Sequence, residues 1–202
     1  MKKWMWWAAG IGAAALGGVI WSQSRGSTEQ APYRTLESDD DEGVALREYA
    51  PLVVAEVIHT GDRRRALDAG FKRLASYIFA KERSGDKIAM TTPVMQDAGG
   101  DMKASGSGTW RTRFVMPAHQ ALATLPPPPA DIELIEVPSR KMAAIKFAGL
   151  VSDDDLARNE TRLRTWLSAH GMEAAGPAEY AYYDGPMVPP PLRRNEVLLP
   201  IG

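Results

Sequence analysis

After Thr60, Gly61 and Asp62 the apolar residues stop alternating and begin to recur every three to four positions. Leu67, Phe71, Leu74 and Ile78 then fall at i, i+4, i+7 and i+11. Alternation places side chains on the two faces of a strand, whereas a period near 3.6 gathers them on one stripe of a helix. A stripe of this kind must be covered by another element, and the alternating segments upstream supply one. They lie at 33–36, 44–49 and 52–59, the first two joined across the acidic run Asp39, Asp40, Asp41, Glu42 and Gly43, with Pro51 separating the latter two. The helix is expected to end by about Glu82, with Ser84, Gly85 and Asp86 turning the chain.

The same order recurs downstream. Trp110, Thr112, Phe114 and Met116 alternate with Arg111, Arg113 and Val115, which reads as a half-buried strand with its arginines mostly outward. Four prolines at 126–129 make a rigid connector, because proline lacks the amide donor and restricts its neighbour. Strands are expected at 132–137 and 140–147, then a second helix opening at Ser152. Ser152 and Asp155 have the spacing of a capping box, Leu156, Leu163 and Leu167 line an inner face, and Gly171 can supply a left-handed terminus. Strand character returns at 178–184 and 196–201. Each half therefore reads strand, helix, strand, strand. The expected fold is α+β, with two pseudo-symmetric βαββ units forming a distorted antiparallel sheet or barrel beneath two helices.

The N-terminus has a different character. Lys2 and Lys3 precede an uncharged run of 18 residues at 4–21. As a helix it would span about 27 Å, close to the roughly 30 Å of a hydrocarbon core. Trp4, Trp6, Trp7 and Trp21 sit at its ends, as interfacial belts do. Two readings stay open: a transmembrane anchor, or a signal peptide cleaved near Ser22 and Ser24. The paired lysines orient the N-terminus toward the cytoplasm, so the domain is expected outside an inner membrane, facing the periplasm, or exported if the segment is cleaved. The expected organisation is an anchor or signal at 1–22, a polar linker at 23–32 and one domain at 33–202.

Composition excludes several functions. A net charge of −1 gives no basic field for nucleic acid, and Arg63, Arg64 and Arg65 form only a short cluster. Without cysteine there is no disulfide, thiolate metal site or thiol nucleophile. His59, His119 and His170 have no metal-ligand spacing, so no metal site is expected. The chain lacks a nucleophile elbow, a P-loop and a dinucleotide fingerprint, which argues against an enzyme. The acidic run at 39–42 reads as a solvated loop.

Several segments nevertheless carry a resemblance. They are Leu46, Arg47, Glu48 and Tyr49; Gly70, Phe71, Lys72, Arg73 and Leu74 with Tyr77, Ile78 and Phe79; and the run 87–94 from Lys87 through Met90 to Pro93 and Val94. Arg113 to Pro117 and then Arg193, Arg194, Asn195, Glu196 and Val197 complete the set. In this order, across about 33–200, the chain resembles the SOUL haem-binding family. That resemblance implies the distorted barrel with two helices and the binding of haem or another porphyrin. The architecture is also similar to effector-binding domains of bacterial transcription regulators that hold flat apolar cations, which leaves an effector or partner protein as the alternative.

A haem site needs an apolar wall, cations for the propionates and, in some proteins, an axial ligand. The expected wall is Leu67, Phe71, Leu74 and Ile78, a stripe that serves equally as the core face of a helix. Arg64, Lys72 and Arg73 are the candidate propionate partners and Met90 the candidate soft contact. Glu48 stands where some relatives carry histidine, so haem is expected to be held by burial without a strong protein axial ligand. One of Tyr180, Tyr182 and Tyr183 can line the pocket.

Overall fold

The computed structural model describes residues 28–99 and 107–202. Strands β1 (Glu29–Gln30), β2 (Tyr33–Asp39), β3 (Val44–Tyr49) and β4 (Leu52–Asp62) lead into helix α1 (Arg63–Ile78). β5 (Thr91–Thr92), β6 (Val94–Ala98), β7 (Ser107–Val115), β8 (Glu133–Val137) and β9 (Arg140–Ala148) follow, then helix α2 (Asp153–Ala169), β10 (Glu179–Tyr182) and β11 (Arg194–Ile201). β1 lies within the stretch read as a linker, pairing in parallel with β5 and burying Ala31. The expected anchor or signal at 1–22 lies outside the described residues. Among those described, no helix is long and apolar enough to cross a membrane.

Both helices begin where the sequence supplies a cap. The Asp62 carboxylate accepts the Arg65 amide at 3.0 Å at the start of α1. At α2 the Ser152 hydroxyl accepts the Asp155 amide at 3.1 Å while the Asp155 carboxylate accepts the Ser152 amide at 3.1 Å, a complete capping box. Asp153, Asp154 and Asp155 in the first turn complement the helix dipole. Gly171 ends the segment at φ +68°, a conformation that glycine adopts without a Cβ penalty.

Nine strands form one sheet in the order β2-β3-β9-β11-β10-β6-β7-β4-β8. Every pairing in it is antiparallel. Read outward from the β6–β10 junction, one half runs β6-β7-β4-β8 and the other β10-β11-β9-β3. The units β4-α1-β6-β7 and β9-α2-β10-β11 therefore occupy equivalent places, while the strand preceding each unit crosses to the other half. Closure into a barrel, one form of the expected architecture, is absent: β2 pairs only with β3 and β8 only with β4, so the sheet keeps two free edges.

α1 packs on β4 and β7 around Ala55, Leu74, Ile78 and Phe114; α2 packs on β9 and β11 around Ile145, Leu163, Leu167 and Val197. The opposite sheet face holds a third cluster with Val54, Met95, Met142 and Leu198. This second face overturns the expectation for the β7 arginines. Arg113 is only 8% exposed, because Glu56 stands directly opposite it on β4 and Asp97 reaches it from β6. Its Nε donates to Glu56 at 2.9 Å, and Arg111 pairs with Asp97 at 2.8 Å. Alternation reveals that two faces exist, but not that a polar face is covered.

Candidate functional site

A cleft of about 510 Å³ opens on the helix-bearing side of the sheet. Its floor includes Val94 and Tyr182, from β6 and β10. One wall is the first half of α1 and the other is built from the loop 149–151 and the loop 183–186. The position follows from topology, since β6 and β10 meet at the junction of the two halves and each helix starts beside it.

Arg63 ties the walls together. Its side chain is buried, forms an ion pair with Asp153 of α2 and donates to the Tyr182 hydroxyl at 2.8 Å. Gln96 returns a bond from its Nε2 to the Arg63 carbonyl at 2.9 Å. Burial pushes the Tyr182 phenol far above its ordinary value, with Arg63 opposing that rise. This phenol is thus a neutral hydrogen-bonding floor, not a phenolate. On the far wall, Asn195 Nδ2 donates to the Gly149 carbonyl at 3.0 Å, and Arg193 donates to the carbonyls of Val188 and Pro186 at 2.8 and 2.7 Å. These two residues hold both loops in place.

Of the eight residues expected at the site, four line the cleft: Arg64, Leu67, Phe71 and Met90. Phe71 is 40% exposed, with its ring edge-on to Phe114 at a centroid distance of 5.3 Å. Arg64 is exposed and its side chain has no hydrogen bond or ion pair among the described residues. The other four are elsewhere. Leu74 and Ile78, at 0% and 1% exposure, face the sheet, because the apolar stripe turns from cleft to core as the helix proceeds. Lys72 is exposed but does not line the cleft. Arg73 is engaged by Asp131 through two bonds of 2.6 Å and by Glu82 at 2.6 Å, which leaves no donor pair for a propionate.

Leu150, Arg193 and Asn195 line the cleft and were not among the expected site residues. The last two fall within the 193–197 segment that carried the resemblance; Leu150 had no signal, being one apolar residue in a loop. None of the three histidines lines the cleft. His170 caps α2 with its ring stacked on Trp166, and Glu48 lies on β3, paired with Arg34 at 2.7 Å. No group of three or more metal-ligating side chains occurs among the described residues. The residues present thus fit the apolar plane and the carboxylates of a tetrapyrrole, while for iron they offer the Met90 thioether as a weak donor and two tyrosine hydroxyls, Tyr182 and Tyr183, that are already hydrogen-bonded to Arg63 and Glu196. A second hollow of about 450 Å³ lies near β1 and the start of β4. Its charged lining residues, Glu29 and Glu136, have the wrong sign for propionates.

Comparison with known proteins separates fold from family. The C-terminal domain of EcmrR superposes with a TM-score of 0.59 at 12% identity, covering 84% of this chain and 98% of that one. EcmrR in its DNA complex gives 0.60 at 11% identity over 94% of this chain and 64% of that one. A hydrolase encoded by lin2189 from Listeria innocua gives 0.56 at 10% identity, covering 80% and 92%. At these identities the likeness is one of fold alone. No curated protein sequence matches the chain. The family model described as SOUL heme-binding protein matches residues 28–200, from the lip of the cleft to the last strand, and the chain belongs to that family.

Proposed function

We propose that the cleft binds haem or a related tetrapyrrole and that the protein, tethered to a membrane by its N-terminal segment, buffers or passes on this ligand without catalysing a reaction. One observation carries the reading: in a haem-binding family, Phe71 and the unpaired Arg64 project from one helix into an open apolar cleft. A volume of about 510 Å³ lies within the ~300–1,000 Å³ usual for small-molecule sites. Leu67, Phe71 and Leu150 supply the apolar surface and Arg64 a cation for a propionate.

The donor set favours retention by burial over retention through iron. That gives weight to a second reading, in which the ligand is an iron-free porphyrin or another flat apolar molecule acting as an effector. Titration of the full chain in detergent micelles, with haemin and with iron-free protoporphyrin, tests both. Saturable absorbance changes near one equivalent, weakened by Phe71→Asp, support the cleft. Changes no larger than in empty micelles, or indifferent to Phe71→Asp, reject it.

A further inference from the structure

We infer that the mouth of the cleft rests against an anionic lipid surface, so that an apolar ligand passes between bilayer and cleft without crossing bulk water. This deepens the function proposed above and rests on its membrane tether. Thr28, the first described residue, lines the cleft. The apolar run ends at Trp21, so only residues 22–27 separate the two. At ~3.3–3.6 Å per residue this stretch reaches about 25 Å at most. With the apolar run in a bilayer, the cleft mouth is confined to that distance from the hydrocarbon edge.

The side chains at the mouth suit such a neighbour. Three separate elements present exposed apolar groups there: Phe71 on α1, Leu150 in the loop before α2 and Met187 next to the lining residue Pro186, at 40%, 56% and 91% exposure. On α1 beside Phe71, Arg64 lines the cleft while Arg65 and Lys72 lie outside its lining; the three side chains are exposed and have no ion pair among the described residues, and the carboxylates that line the cleft are Asp68 and Asp184. Exposed apolar groups with unpaired cations on the adjoining helix match the chemistry of an anionic interface, where the former enter the acyl boundary and the latter meet phosphates. Tyr33, Leu36, Ile58 and Leu192 are exposed on other elements and Phe79 at the opposite end of α1, and none of them lines the cleft.

The sequence lacks cysteine, so one introduced thiol can be labelled alone. Met187→Cys, Leu150→Cys and, as a reference, Ser84→Cys beyond the C-terminal end of α1 would carry an environment-sensitive fluorophore. The full chain is reconstituted in phosphatidylcholine vesicles containing phosphatidylglycerol, with quencher-bearing lipids as the probe. Blue-shifted emission and quenching at 187 and 150 well above the reference are expected. Replacing Arg64, Arg65 and Lys72 by Gln together should lower the docked-to-undocked ratio on the order of a hundredfold, about fivefold per cation. Equal quenching at all three positions overturns the inference, whether the mouth faces water or a protein partner. Carbonate-resistant sedimentation with the vesicles reports the tether separately, and haemin titration of the same labelled chains reports the ligand, so failure of either differs from failure of docking.

Discussion

Gly70 of α1 lies so close to Thr112 of β7 that a Cβ built on the glycine would stand 2.5 Å from the threonine Oγ1 and 2.6 Å from its Cβ. The helix can settle on the sheet, carrying Phe71 to the cleft, only because position 70 has no side chain. Gly70→Ala gains roughly 1 kcal/mol of helix propensity but forces helix and strand apart. A net loss of about 1–3 kcal/mol is expected, read as a lower urea midpoint. Thr112→Ala leaves its own Cβ in place and should not restore stability; if it did, the conflict would lie with the threonine Oγ1 and Cγ2 and not with its Cβ.

That contact also marks where sequence reading stops. Both helices, the cap at Ser152 and the two βαββ units were legible because period and capping chemistry are local properties. The free edges of the sheet were not, since they depend on how distant strands pair. At the cleft, Phe71 and Leu74 belong to one apolar stripe; no feature of the stripe says that the first ends in solvent and the second in the core. Arg73 and Arg64 likewise look alike until Asp131, 58 positions away, is seen to occupy the former.

Arg47 and Glu196 form a bidentate pair on the second sheet face, at 2.7 and 3.1 Å, and both are nearly excluded from solvent. Tyr183 adds a third bond, its hydroxyl donating to Glu196 at 2.7 Å. Truncating one partner leaves a buried charge uncompensated, so Glu196→Ala should cost about 3–5 kcal/mol in chemical denaturation. Arg47→Met combined with Glu196→Leu removes both charges and should recover most of that loss, because such pairs contribute little net stability. A double variant as unstable as the single one would contradict this account.

Arg73 holds the carboxyls of Asp131 and Glu82 below their ordinary values, chiefly by hydrogen bonding to each. For carboxyls depressed in the folded state, the stabilisation is complete above the unfolded-state values and disappears as pH falls through the folded ones. Urea midpoints should therefore be insensitive to this cluster from neutrality down to about pH 5 and fall more steeply below about pH 4. Arg73→Gln should flatten that acid limb relative to the parent chain. The difference between the two profiles isolates the cluster from Asp97, whose carboxyl is pushed upward by burial and contributes with opposite sign.

Ligand binding and stability should separate cleanly along the apolar residues of the two regions. Leu150 is 56% exposed in the folded protein and touches no core cluster, so Leu150→Asp should leave the unfolding midpoint almost unchanged. If a tetrapyrrole covers it, burying the exposed half of that side chain contributes about 1–2 kcal/mol, and the variant should bind haemin about five- to twentyfold more weakly. Leu74 is fully buried beneath α1, so Leu74→Ala should cost about 2–5 kcal/mol of stability. The folded fraction of that variant keeps Phe71, Leu150 and Arg64 in place and should bind as the parent does. Weaker binding in the Leu74 variant with parental affinity in the Leu150 variant would move the ligand out of the cleft and into the helix–sheet interface.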